Sequence, residues 1–165
     1  MKVYIASDHA GFELKKNLLE FLQEKGYETE DCGNTEIDPN DDYPDYISKA
    51  AQKVSVAPDN FGIVIGGSGQ GEAIAANKFK HVRCALFYGP AVAQGEIDVT
   101  GAHSSNPFEI IHLARTHNNA NMLSLSCRFL TTDQAQIAVE LFLKTDFKNE
   151  ERHQRRIDKI AELEQ

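Results

Sequence analysis

Phe61-Gly62-Ile63-Val64-Ile65-Gly66-Gly67-Ser68-Gly69-Gln70-Gly71-Glu72-Ala73-Ile74-Ala75-Ala76-Asn77-Lys78 is the stretch that decides how the rest of the chain is read. Its first half is a short apolar, β-branched run bounded by glycine, the pattern of a strand buried on both faces. The alanine-rich second half predicts a helix. Gly66, Gly67, Gly69 and Gly71 lie between them. Glycine permits tight turns and close backbone approach, so the segment predicts a strand that delivers a bare loop into a helix start. Free N–H groups in such a loop can hold an anion, either a phosphate or the negative oxygen that develops during a reaction. Ser68 and Glu72 bracket the loop with side chains capable of chemistry. The loop has neither the Gly-Lys-Ser/Thr ending of a P-loop nor the complete dinucleotide fingerprint, so a plain βα connection without a ligand is the competing reading.

Outward from this stretch, strand and helix signals alternate. Residues 2–7 predict a first strand, and 11–25 a one-sided helix carrying Phe12, Leu14, Leu18, Leu19 and Leu22 and closed by Gly26. Residues 27–32 alternate as a second strand. The polar stretch 33–44, with Asp38, Asn40, Asp41 and Asp42, predicts a long surface loop before a helix over 46–56. A fourth strand is expected at 82–87, a helix opening with proline at 107–117, and a fifth strand at 121–126. A capped helix at 132–143 and a strongly charged helix at 149–164 complete the chain. This alternation belongs to the α/β class, an open parallel sheet with helices on both faces and ligands at the carboxyl ends of the strands. Residues 88–106 break the rhythm with Gly89, Pro90, Gly95, Gly101 and Ser104-Ser105-Asn106. So long a loop predicts a lid or an added interface. No repeat or linker divides residues 1–165, which are read as a single domain.

The 25 acidic and 17 basic residues argue against nucleic acid or an anionic membrane as a general partner. No apolar run reaches membrane-spanning length, and Met1-Lys2-Val3-Tyr4-Ile5-Ala6 enters a strand pattern rather than a signal peptide. Cys32, Cys84 and Cys127 stand singly, as reduced thiols do, so a cytoplasmic protein is expected.

Asp8 and His9 follow the first strand, where a site belongs; an N-cap is the plain alternative for Asp8. His117-Asn118-Asn119-Ala120-Asn121 leads into the fifth strand, and asparagines there also suit a turn. His103, His112 and His117 make no metal-ligand pattern, and no metal site is expected. Arg128 follows the fifth strand. Arg152 and Arg156 share one helix face and repel unless an anion lies between them. Phosphate suits their planar, forked donors.

Together, Ser7-Asp8-His9-Ala10-Gly11, Asp42-Tyr43-Pro44, Gly66 to Glu72, Ala75-Ala76-Asn77-Lys78, His117 to Asn121 and Arg152-His153-Gln154-Arg155-Arg156-Ile157 resemble a sugar-phosphate isomerase family. It is the family of the ribose-5-phosphate isomerase B type, with the galactose-6-phosphate isomerase subunits among its members. The resemblance runs in order through nearly the whole chain. It implies a Rossmann-like three-layer αβα sandwich on a five-stranded parallel sheet, and a homodimer with active sites shared between subunits. It also implies interconversion of ribose 5-phosphate and ribulose 5-phosphate through an enediolate, without metal or cofactor. Many members place cysteine where this chain has Ser68; another branch has serine with glutamate four residues later, as here. A serine hydroxyl has too high a pKa to take the proton unaided, so the resemblance gives Glu72 the role of base and Ser68 that of hydrogen-bonding partner. It assigns ring opening to His117 with Asp8, and substrate contacts to Tyr43, Gly67, Gly69, Gln70, Gly71 and Asn118. The phosphate falls to His9, Arg128, Arg152 and Arg156, some of them from the partner subunit.

A helix N-terminus stabilises a carboxylate by about 0.3–1 kcal/mol and so weakens Glu72 as a base, whereas desolvation acts the other way. The segment 88–111 is longer than the family's usual connection, which leaves a six-carbon substrate such as allose 6-phosphate or galactose 6-phosphate as an alternative. A non-catalytic nucleotide-binding module on the same kind of sheet is the rival from another class.

Overall fold

The computed structural model describes residues 1–164 and assembles five strands into one parallel sheet. They are β1 (Lys2–Ser7), β2 (Glu28–Asp31), β3 (Phe61–Gly66), β4 (Cys84–Phe87) and β5 (Met122–Ser126), in the order β2-β1-β3-β5-β4. β3 is buried at every position, which is why its sequence is an unbroken apolar run rather than an alternating one. Helices α1 (Phe12–Glu24), α4 (Glu109–Asn118) and α5 (Thr132–Lys144) contribute to the core on one face, with Val3, Ile5, Ile63, Ile65, Leu123 and Leu125. Helices α2 (Tyr43–Val56) and α3 (Gln70–Ala76) cover the other, packing Ile47, Ala50, Val54 and Ala76 on Ala6, Val64 and Met122. The last helix, α6 (Glu151–Ala161), packs on α4 outside these layers. This is the expected three-layer αβα sandwich.

Several boundaries differ from the sequence reading, and one stretch differs in burial. α2 begins at Tyr43 rather than at 46, because Pro44 fits a first helical turn, where its missing N–H is not needed. α6 is shorter than 149–164, and Asn149, just before it, adopts a left-handed φ of 50°. The polar stretch 33–44 is not all surface: Asn34 is buried, and the Asp41 side chain is only 4% exposed. Lys15 explains part of this. It is buried beneath the stretch, donates to both Asp31 carboxylate oxygens at 2.9 and 2.8 Å, and also donates to the Asn34 carbonyl.

The insertion of β5 between β3 and β4 was not legible in the linear order. It sets the site, because the glycine loop leaving β3 lies directly against the end of β5.

Candidate active site

The loop after β3 is held by its carbonyls. Gly66 O accepts from Cys127 N at 2.9 Å, Gly67 O from Arg128 N at 3.3 Å and from Ser126 Oγ at 2.9 Å. Gly69 O accepts from Ser124 Oγ at 2.6 Å. In a trans peptide the carbonyl and the following N–H oppose each other. The N–H groups of Gly67 and Ser68 therefore turn away from β5, and among the described residues neither makes a backbone hydrogen bond. Gly69 has φ 76°, a left-handed conformation that a side chain resists, and a Cβ there would sit 2.8 Å from Leu86. Ser68 Oγ accepts from Gln70 N at 3.3 Å and so caps the loop it belongs to. Gln70 in turn donates to the Tyr88 hydroxyl.

Glu72, in the first turn of α3, is 4% exposed. Its carboxylate occupies the space beside Gly66, where an added Cβ would fall 1.8 Å from Oε1. Burial raises its pKa above the ordinary 4.5, nearby Asp8 pushes the same way, and its own backbone amide opposes them. Desolvation outweighs the helix terminus, so the carboxylate is a stronger base than an exposed one. No cation forms a salt bridge with it among the described residues. The Tyr43 ring packs over Gly71, where a Cβ would meet it at 2.6 Å.

Asp8 Oδ1 accepts from Ala10 N at 3.0 Å and Gly11 N at 3.4 Å, so the capping role is real. Its charge also reaches Glu72 and His9. His9 donates through Nδ1 to Asp41 Oδ1 at 2.6 Å, which holds its pKa above the ordinary 6.5. Arg128 lies along the loop, with Cζ 3.0 Å from a Cβ built on Gly67. His9, Glu13, Cys127 and Arg128 line a cleft of about 430 Å³. Ligand atoms of Asp8, His9 and Asp41 lie within 4.8 Å of one another, close enough for a metal ion, but hydrogen bonds already use those of Asp8 and Asp41.

A second cluster lies around the end of α4. The His117 ring stacks on His153 of α6, with centroids 4.1 Å apart and planes at 15°. Burial lowers the pKa of His117, and His153 and Arg152 add to that, so the imidazole is neutral near pH 7. His153 is buried, and among the described residues its Nε2 has no hydrogen-bond partner. Arg152 donates to Glu150 at 2.9 Å, and Asp98 of the long loop is within electrostatic reach of both Arg152 and His117. Two arginines fix the His-Asn turn. Arg83 donates to the carbonyls of Asn118 and Asn119, and Arg115 to Asn119 Oδ1 and Ala120 O from between the rings of Phe61 and Phe142.

Asp8, His9, Tyr43, Glu72, Arg128 and the glycine loop thus form one group, and His117, Asn118, Arg152 and Arg156 belong to the other. Among the described residues, no hydrogen bond or ion pair joins His117 to Asp8. His117 has His153, Arg152, Glu150 and Asp98 as its charged surroundings, and Asp8 is not among them.

The family model for the ribose/galactose isomerases matches residues 3–103 and 98–160. The chain belongs to the ribose/galactose isomerase family. Among relatives in this family, ribose-5-phosphate isomerase B of Mycolicibacterium paratuberculosis is 42% identical over 164 residues, which cover 99% of this chain and 92% of that protein. A solved structure of ribose-5-phosphate isomerase B from Mycoplasma genitalium with bound ribulose 5-phosphate has a TM-score of 0.85 and 41% identity, covering 99% of this chain and 95% of that one. For the Clostridium thermocellum ribose-5-phosphate isomerase B the TM-score is 0.83 at 36% identity, with 99% and 97% covered. The two stretches matched by the isomerase family model meet inside the long loop after β4. Among the described residues, no helix is long and apolar enough to cross a membrane.

Several members of the site escaped the sequence reading. Ser124 and Ser126 carried a signal, two hydroxyls two residues apart on an otherwise apolar buried strand. His153 lay inside a motif read only for its arginines. Asp41 stood among other acidic residues with nothing to single it out.

Proposed function

We propose that the protein interconverts ribose 5-phosphate and ribulose 5-phosphate. The observation that carries this reading is Glu72, a buried carboxylate with a raised pKa and, among the described residues, no salt-bridge partner, set beside outward-facing N–H groups in a chain of this family. Glu72 takes the proton from C2 of the open-chain aldose. The negative oxygen of the resulting enediolate is stabilised by the N–H groups of Gly67 and Ser68, with Gly69, Gln70 and Gly71 shaping the same cradle. Glu72 then returns the proton to C1, while a hydroxyl proton passes between the two oxygens, so no atom is gained or lost.

His117 acts in ring opening, where a neutral imidazole both accepts and donates, and Asn118 and Tyr43 hold the sugar. His9, Arg128, Arg152 and Arg156 grip the phosphate. Because Glu72 and His117 sit in separate clusters of one protomer, we assign a homodimer in which His117, Asn118, Arg152 and Arg156 of one chain complete the Glu72 site of the other. Ile74, Tyr88 and Phe129, all substantially exposed, flank the glycine loop and supply apolar surface for that contact. A cytoplasmic site of action fits the three unpaired cysteines.

A coupled assay on five- and six-carbon aldose phosphates tests the reading. Glu72→Gln is expected to bind sugar phosphate normally and to lose at least about a thousandfold in kcat. Near-parental turnover by that variant would move the base elsewhere, and a preference for six-carbon substrates would overturn the assignment of ribose.

A further inference from the structure

We propose that Asp41, from the loop before α2, is the positioning residue that orients the His9 imidazole and serves as its counter-ion at the phosphate site. The inference rests on the reading that His9 belongs to that site.

Asp41 meets His9 at three points. The backbone N–H of His9 donates to Oδ1 and Oδ2 at 3.2 and 3.0 Å, and the ring Nδ1 donates to Oδ1 at 2.6 Å. This commits Nδ1 and leaves Nε2 as the ring nitrogen available to a ligand. Asp41 is itself held. Asn34 Nδ2 donates to its Oδ2 at 3.3 Å and to Glu36 O at 3.0 Å, and Asn34 Oδ1 accepts from Ser7 Oγ at 3.4 Å. The Asn34 carbonyl is fixed by buried Lys15. A hydrogen-bonded chain therefore runs from the end of β1 and from α1, through Asn34, to the carboxylate that aims His9.

A carboxylate this buried needs a cation. Lys15 is engaged by Asp31, and His9 is the cationic group in hydrogen-bonding contact with Asp41. The charged groups facing His9 are Asp41 and Asp8, which favour its protonation, and Arg128, which opposes it; Glu13 lines the same cleft. The bond to Asp41 is the largest of these influences, and burial of the ring works against it. Because its pKa is raised, His9 keeps its charge to a higher pH than an ordinary imidazole and loses it as pH climbs through that raised value. Grip on a phosphate dianion is therefore full below that pH and fades above it.

Asp41→Asn keeps the shape and removes the charge. At about pH 7.5 its KM for ribose 5-phosphate should rise about tenfold with kcat within about twofold, a change equal to about one charge-assisted hydrogen bond. The rise of KM with pH should begin at lower pH than in the parent, and competitive inhibition by inorganic phosphate should weaken in parallel. Imidazole titration of His9 by NMR should fall to lower pH in this variant. In a His9→Asn background, Asp41→Asn should add nothing further to KM. An unchanged His9 titration in Asp41→Asn, or additive effects of the two substitutions, would overturn the proposal. Should Asp41→Asn fail to fold, titration of the parent decides: a His9 midpoint at or below the ordinary 6.5 would overturn it as well. A parental KM in His9→Asn alone sinks the reading of His9 as a phosphate ligand, a failure the NMR titration keeps separate from that of the His9–Asp41 coupling.

Discussion

The surroundings of Glu72 and of His117 differ in how much of their geometry a single chain supplies. Around Glu72 the position is fixed from every side: Gly66 leaves the room, β5 serines hold the loop carbonyls, and Tyr43 closes over Gly71. Around His117 the backbone is equally well held, by Arg83 and Arg115, yet Arg155 and Arg156 stand exposed and His153 keeps a buried nitrogen without a hydrogen-bond partner among the described residues. One region is a finished cradle and the other is a finished arm. The difference supports the proposal that the arm completes the site of a second copy of the chain.

Complementation is the sharpest way to break that contrast. Glu72→Gln and His117→Asn should each be nearly inactive, yet dissociating and reassembling a mixture should restore about a quarter of parental activity, since half the dimers are mixed and each has one intact site. Failure to regain activity in verified mixed dimers would place both groups in one protomer's site. The next largest effect is expected at Gly66. Gly66→Ala should push the Glu72 carboxylate from its place and lower kcat about a hundredfold, with little change in KM. A kcat within twofold of the parent would show that the carboxylate has another productive position.

The pH profile probes the two regions separately. Since burial raises Glu72, kcat should fall on acidification with a midpoint above 4.5, because the protonated acid cannot accept the C2 proton. A midpoint at or below that value would contradict a desolvated base. The smallest effect belongs to the loop's support. Ser124→Ala removes the side-chain donor to the Gly69 carbonyl, which keeps the Ala73 N–H, and should lower unfolding free energy by about 0.5–1.5 kcal/mol in denaturant titration and cost only a modest loss of kcat.

Much of this was legible from residue order, though unevenly. The alternation of elements and the β3–loop–α3 unit are local properties, set by periodicity and by glycines, and so they appeared directly. Gly66 was seen as a turn residue, whereas its more exacting duty is to leave space for a side chain six positions on. Asp41 was hidden because its partner lies 32 residues away in sequence, and the polar stretch around it suggested surface. The division of His117 from Asp8 was hidden for a related reason: a resemblance names the members of a site without saying how far apart one chain holds them. The strand order was equally out of reach, since nothing local in 84–87 or 122–126 states which of them borders β3.

That strand order carries one more implication. β4 and β5 are neighbours, so whatever chain lies between Phe87 and Met122 departs from the carboxyl rim of the sheet and comes home without crossing another strand. Extra residues can accumulate there at a cost that grows only logarithmically with length, and they start from the same rim of the sheet as the glycine loop and Glu72. Descendants of such a chain are free to remodel that side of the molecule while the glycine loop between β3 and α3, with Glu72, stays untouched.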